Sequence, residues 1–207
     1  MNNKKNLLKK SEFYEDIHNN VIGIDEVGRG ALCGPVVSCS ILLKKSILNQ
    51  NFIIEINDSK KIKEEKRFNI AKRIKKFSIF SFGICSNIII DKINILQATN
   101  KSMKKSFFFF KDFCNPVKID GVESFFLNSN TEFIKKGDQS SVVIASASIL
   151  AKCFRDSLMI KYSKMYPEYN FKSNKGYGTK DHLIAIKKFG ITPIHRKSFA
   201  PVKKLIF

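Results

Sequence analysis

Four carboxylates carry the chemical interest of a chain that is otherwise strongly basic. Asp25 and Glu26 close the apolar run that begins at Val21, directly ahead of Gly28-Arg29-Gly30. Asp120 closes the short run from Val117 and precedes Gly121. Asp138 lies in Lys136-Gly137-Asp138, at the entrance to a long apolar segment. Strand ends that meet helix starts are where α/β proteins collect their sites. Two of these acids also have ordinary readings, Asp138 as a helix N-cap and Asp120 as a turn residue. Asp25 and Glu26 are harder to place, because buried acids without partners are strongly disfavoured. Neighbouring strand residues point to opposite faces. The two therefore serve one site only if the strand ends there, or if one contributes through its backbone. Acids that converge without histidine or cysteine suit hard cations such as Mg2+ or Mn2+. Beside a phosphate backbone, two such ions about 3.5–4 Å apart would activate water and stabilise the leaving oxygen. They would also reverse the repulsion between acids and phosphate.

The elements that must position these acids follow from pattern. Val21 to Asp25 and Val36 to Leu43 read as two strands joined by a wide glycine-rich connection. Lys63 to Lys76 keeps helical spacing through Phe68, Ala71 and Ile74, with Asp58 or Ser59 as the expected N-cap. Ser78 to Ser86 predicts a third strand, and Asn94 to Phe110 a helix whose Phe107–Phe110 run should face the sheet. Val117 to Asp120 and Thr131 to Ile134 complete the strands. Gln139 to Tyr166 is the longest predicted helix. Its stretch Val142 to Ala151 is apolar nearly all round and should be buried. Short helices are expected over Lys4 to Asp16 and over Lys180 to Phe189, the latter capped by Gly190. This order predicts an α/β fold, a mixed sheet with helices on both faces.

Composition narrows the partner. The chain has 207 residues, with 37 basic against 18 acidic, a net charge of +19. That balance points to a polyanion, most often nucleic acid. Lys, Asn, Ile and Phe are all abundant and share A/T-rich codons, so genome bias can inflate the same number. Five scattered cysteines without a CxxC pair predict reduced, mostly buried thiols. His18, His182 and His195 form no spaced pair and are expected in core or surface roles. No stretch reaches the roughly 18 apolar residues of a membrane span, and the N-terminus lacks a secretory signal. The expectation is a soluble cytoplasmic protein with no membrane partner.

At these same residues the chain resembles bacterial ribonuclease HII, from about Val21 to Lys203. The matching segments are Gly23-Ile24-Asp25-Glu26-Val27-Gly28-Arg29-Gly30, Asn57-Asp58-Ser59-Lys60-Lys61, Ile119-Asp120-Gly121 and Lys136-Gly137-Asp138. The helix Ala145 to Lys152 with Arg155-Asp156, the loop Lys175-Gly176-Tyr177-Gly178-Thr179, and Thr192-Pro193-Ile194-His195-Arg196 also match. The resemblance implies the ribonuclease H-like fold, with a mixed five-stranded sheet. It implies a catalytic domain over residues 1–165 and a helical, substrate-clamping extension over 166–207. It implies an endonuclease that cuts 5′ of ribonucleotides, in RNA/DNA hybrids and as single residues in duplex DNA, leaving 3′-hydroxyl and 5′-phosphate ends.

The family's four acids fall on Asp25, Glu26, Asp120 and Asp138, which would hold two Mg2+ or Mn2+ ions when substrate is bound. Asp25 would bridge the ions, Asp120 and Glu26 would serve one, and Asp138 the other. Gly28, Arg29 and Gly30 fall on the family's Gly-Arg-Gly motif, whose backbone can approach the 2′-hydroxyl closely, while Arg29 can add a phosphate contact. Tyr177 falls on the tyrosine that packs on the deoxyribose after the ribonucleotide. Lys60, Lys61 and Lys152 are candidate phosphate contacts. Ala31 and Cys33 depart from the usual Pro and Ala, a change expected to tune loop stiffness. Asp156 is expected to be structural, paired with a basic neighbour.

Two readings compete with the metal-dependent nuclease. A non-catalytic basic nucleic-acid-binding protein has no use for four placed acids. A different nuclease on the same fold would lack the Gly-Arg-Gly and Lys-Gly-Tyr-Gly segments. The protein is expected to be a monomer. The apolar tail Leu205-Ile206-Phe207 is expected to pack back on the domain, with tethering to a replication clamp as the alternative.

Overall fold

The computed structural model describes residues 11–206. Its centre is a five-stranded sheet in the order β3-β2-β1-β4-β5, formed by β1 (Ile22–Val27), β2 (Val36–Leu43), β3 (Ser78–Cys85), β4 (Val117–Asp120) and β5 (Thr131–Ile134). β1 pairs antiparallel with β2, and β2 with β3. β1 pairs parallel with β4, and β4 with β5. The sheet is mixed, as the sequence predicts. β1 runs two residues beyond its expected end, so Glu26 is still within the strand.

Alternation along β1 sends its side chains to two different cores. Ile22 and Ile24 pack with Met103 and Phe107 of α3 (Asn87–Phe107) on one face. Cys39 and Ile41 of β2 pack with α2 (Glu64–Lys76) and α4 (Val142–Met165) on the other. The first turns of α4 are buried all round, as their small apolar residues require. Gly23 makes this possible: a Cβ there would lie 2.3 Å from the Val143 carbonyl carbon. The missing side chain lets α4 cross β1 almost backbone to backbone.

Three local expectations need correction. α2 starts at Glu64 from an N-cap at Lys63 without a side-chain cap. Asp58 instead accepts the Lys60 N–H at 3.0 Å, and Ser59 bonds Ser148 at 2.9 Å. The predicted helix at Asn94 is the second half of a longer one. Asn94 breaks it at φ 66° and its Oδ1 accepts the Gln97 N–H at 3.0 Å, a cap inside the helix. The phenylalanine run splits by helical periodicity. Phe107 and Phe110 are buried, whereas Phe108 and Phe109 are exposed.

Beyond α4 the chain forms α5 (Phe171–Asn174), α6 (Lys180–Phe189) and α7 (Ala200–Ile206). Tyr169, Phe171, Ile186 and Val202 from this segment pack with Leu32, Cys33 and Met159. The C-terminal segment thus sits against the glycine-rich loop after β1. Residues 11–18 form the first helix, α1; the rest of the predicted N-terminal helix, and the side chains of the apolar tail, lie outside the described residues. The cysteines are free, four of them buried and Cys114 exposed.

Candidate active site

Parallel pairing of β1 with β4 places Asp25, Glu26 and Asp120 at the same end of the sheet. The register matches Ile24 with Ile119, one residue before Asp25 and Asp120. Asp25 faces α4, where Ser148 hydrogen-bonds its carboxylate, and Oδ1 accepts the Glu26 N–H at 2.7 Å. Glu26 lies opposite Ser38, whose hydroxyl bonds Ser102 of α3 at 2.6 Å, so it projects from the other face. Asp120 Oδ1 accepts the Gly137 N–H at 2.7 Å. That bond draws in the single 3-10 turn Gly137–Gln139 that carries Asp138. Asp138 is not the cap of α4; Ser141 is, accepting the Ile144 N–H.

β1 does not end at Asp25, as the sharing of one site by adjacent side chains would require, yet each of the four acids lies close enough to another to feel its charge. Burial, then the charges of Glu26 and Asp120, push the Asp25 carboxyl well above its usual range. Burial raises Glu26 too, opposed by Arg29 and reinforced by Asp120. Asp138 is raised by burial, then by Asp58 and Asp120, and is lowered by Lys60 and Lys61. Asp25 is only 4% exposed and, among the described residues, neither it, Asp120 nor Asp138 has an ion-pair partner. Asp156 shows what this fold does with an acid it merely buries: Arg67 pairs with it at 3.1 Å and Lys152 at 2.8 Å. Asp25, Asp120 and Asp138 form an all-oxygen donor set without such neutralisation, to which Glu26 adds a carboxylate paired, among the described residues, only with Arg29, and this set suits hard divalent cations.

The glycine loop borders these acids. Gly28 has φ +95°, and a Cβ would lie 2.3 Å from Arg155 Nε, so the protein itself demands glycine. Gly30 differs: its φ is ordinary and a Cβ would meet nothing within 4 Å. Arg29 leans back on Glu26, Nη1 to Oε1 3.5 Å, rather than standing clear for a phosphate. Tyr177 joins the loop through a β-bridge to Ala31. Its ring lies over the Arg155 guanidinium at 5.5 Å and near Lys152 Nζ at 5.8 Å. Lys60 and Lys61 are exposed beside Asp138, whereas Lys152 is already engaged by Asp156.

Several residues escaped the sequence reading. Asp58 was assigned to a cap, yet it stands close enough to raise Asp138. Ser148, a hydroxyl on a helix buried among apolar residues, was the available signal for a polar contact to Asp25. Arg155 and Arg196 are fully buried and bond backbone carbonyls. His182, His195 and Cys33 meet with their ligand atoms within 4.8 Å, although they are far apart in sequence.

Hydrogen bonding argues against a metal in that last cluster. His195 Nδ1 accepts the Thr192 N–H at 2.9 Å, so the proton of the neutral ring sits on Nε2. His182 Nδ1 faces the Tyr177 carbonyl at 2.9 Å and donates to it, leaving Nε2 bare to accept from His195 at 3.1 Å. A cation at both Nε2 atoms would require an imidazolate. Burial also pushes the Cys33 thiol up to about 12. The cluster is a strut joining the His195 segment to the backbone of Tyr177.

Comparison with known proteins identifies relatives over nearly the whole chain. The sequence model of the family described as Ribonuclease HII matches residues 22–202. Ribonuclease HII of Caldanaerobacter subterraneus subsp. tengcongensis is 47% identical over 198 residues, 95% of this chain and 80% of that protein. Ribonuclease HII of Acholeplasma laidlawii is 39% identical over 209 residues, covering 97% of each. Among solved structures, a chain of the PCNA:RNase HII complex from Archaeoglobus fulgidus superposes with a TM-score of 0.76 at 19% identity, covering 89% of this chain and 96% of that one. Bst-RNase HIII in complex with Mn2+ gives 0.69 at 17% identity, over 92% and 71%. With the match running from the first strand to the start of α7, and the curated relatives spanned over most of their length, this chain belongs to the ribonuclease HII family of endonucleases.

Proposed function

We propose that this chain hydrolyses the phosphodiester 5′ of a ribonucleotide, in RNA/DNA hybrids and at single ribonucleotides in duplex DNA. The observation that carries the reading is the convergence of Asp25, Glu26, Asp120 and Asp138 beside a Gly30 whose side-chain position is open. In this reading the four acids would hold two Mg2+ or Mn2+ ions, which would supply an activated water and neutralise charge building on the phosphate. Asp25, the most buried of the four and close to both Glu26 and Asp120, would be the shared ligand. Asp120 and Glu26 would complete one site and Asp138 the other. Ser148 and the Glu26 N–H fix the Asp25 carboxylate, and the Gly137 N–H fixes Asp120.

Selection of RNA falls to backbone rather than side chains. The N–H groups of Gly28-Arg29-Gly30 reach the 2′-hydroxyl, because a glycine admits the sugar to van der Waals distance. Tyr177 packs on the next deoxyribose, held from behind by Arg155. Lys60 contacts a phosphate directly and Lys152 does so while still held by Asp156, and residues 166–207 close over the substrate as a clamp on the 1–165 domain. Water adds to phosphorus, the bond to the upstream O3′ breaks, and that oxygen leaves as a 3′-hydroxyl. The ribonucleotide keeps a 5′-phosphate. The protein acts as a monomer in the cytoplasm.

Cleavage of a labelled duplex carrying one ribonucleotide tests this, with Mg2+, Mn2+ or EDTA and an all-DNA control. The expected product is a single cut 5′ of the ribonucleotide that EDTA abolishes. Tight binding without cleavage would favour a binding protein instead.

A further inference from the structure

Arg196 is fully buried and, among the described residues, pairs with no carboxylate. All three of its hydrogen bonds go to backbone carbonyls of the glycine-rich loop. Nε donates to Gly34 at 3.0 Å, Nη1 to Arg29 at 2.8 Å and Nη2 to Gly28 at 2.7 Å. A buried guanidinium without a counter-ion is an expensive way to brace a loop. What it provides beyond bracing is direction. In a trans peptide the C=O and the following N–H point opposite ways. Fixing the Gly28 carbonyl inward turns the Arg29 N–H outward, and fixing the Arg29 carbonyl inward turns the Gly30 N–H outward. Both residues are exposed, and neither N–H has a protein partner among the described residues. The charge on the inner side also polarises both peptides, which strengthens their outward donors.

We infer that Arg196 is a positioning residue for ribonucleotide selection, aiming and polarising the Arg29 and Gly30 N–H groups from behind. The inference rests on the reading of this loop given above. Arg196 touches no substrate; it acts through two peptide units. Lysine could keep the charge but could not hold three carbonyls in fixed directions.

The test compares wild type with Arg196→Lys in binding, with Ca2+ present to slow cleavage, to a duplex carrying one ribonucleotide and to the same duplex in DNA. The wild type should prefer the ribonucleotide. In folded Arg196→Lys that preference should fall about tenfold, the equivalent of one hydrogen bond of roughly 1.4 kcal/mol, with all-DNA affinity within about twofold. Retained preference, or an equal loss for both duplexes, would overturn the inference. Should Arg196→Lys fail to fold, amide exchange on the wild type decides. The Arg29 and Gly30 amides should exchange freely alone, slow with the ribonucleotide duplex, and stay fast with DNA; protection by neither duplex, or equally by both, overturns it. A wild type that binds both duplexes equally and cuts neither removes the parent reading, and this one with it.

Discussion

Acidification should weaken this protein through one buried pair of rings. The His195 ring is 1% exposed and held to about 4, by burial first and then by His182. Its ordinary value is 6.5. In the unfolded chain the ring takes a proton below 6.5, whereas in the folded chain it stays neutral until about 4. Stability from this group is therefore fully present above 6.5 and is lost as the pH falls toward 4. Each unit of difference is worth about 1.4 kcal/mol, so the whole window amounts to about 3 kcal/mol, of which about 2 kcal/mol has gone by pH 5. The raised carboxyls Asp25, Glu26 and Asp138 act in the opposite sense, because protonation relieves their crowding. The histidine effect must therefore be read as a difference between proteins. Urea unfolding at pH 7.5 and 5.0 should be compared for wild type and His195→Asn, whose amide oxygen can still accept the Thr192 N–H. The variant should be less stable at pH 7.5, and the wild type should lose about 2 kcal/mol more than the variant on acidification. Parallel losses would show that the rings are not held neutral by this strut.

Other outcomes separate scaffold from site. Gly28→Ala should lower stability by about 2 kcal/mol or more, from its positive φ and the collision with Arg155. Gly30→Ala should leave the melting temperature in place and still cost at least about tenfold in cleavage of a single ribonucleotide; wild-type cleavage would mean no sugar approaches there. Asp25→Asn should reduce cleavage by roughly a thousandfold or more, since the lost ligand serves several kcal/mol of charge stabilisation. In EDTA the same variant should be more stable than wild type by about 1–2 kcal/mol, because a buried repulsive charge is gone; calorimetry reads this directly, and a loss of stability would contradict the crowding. Tyr177→Ala should weaken cleavage at a single ribonucleotide more than it weakens nonspecific duplex binding, and equal losses would exclude junction reading.

The sheet was legible because its strands carry their own signals. Val36–Leu43, Val117–Asp120 and Thr131–Ile134 begin and end where β-prone runs meet punctuation. The acids were legible as chemically improbable residues at strand ends, although no local pattern states that β4 lies beside β1 rather than at an edge. That adjacency is a long-range fact, and it brings Asp120 to Asp25. Asp58 was misplaced because an acid before a helix resembles a cap, whereas here it caps its own turn at Lys60. Asn94 was read as a helix start and is one, inside a longer helix that no residue type forbids. The His182, His195 and Cys33 cluster joins three separate segments. Its histidines lack metal-type spacing because backbone hydrogen bonds, rather than a cation, hold them.

The distribution of buried charge separates function from stability in this fold. Elsewhere the fold neutralises a buried acid with a buried arginine, as it does for Asp156 of α4 with Arg67 of α2. At the sheet end it keeps them apart. Asp25 is left with hydroxyl and amide donors, and Arg155 and Arg196 are left with carbonyl acceptors. Each set is hydrogen-bonded, so neither collapses, yet neither is neutralised by the other. Unneutralised acids attract cations, and Arg196, satisfied by the Gly28 and Arg29 carbonyls, turns the Arg29 and Gly30 N–H groups toward the surface. Pairing Arg196 with a carboxylate instead would release the loop carbonyls and let them turn outward. The loop would then present acceptors, which repel phosphate, in place of donors. A stable protein that has lost its preference for ribonucleotides is the outcome this separation avoids.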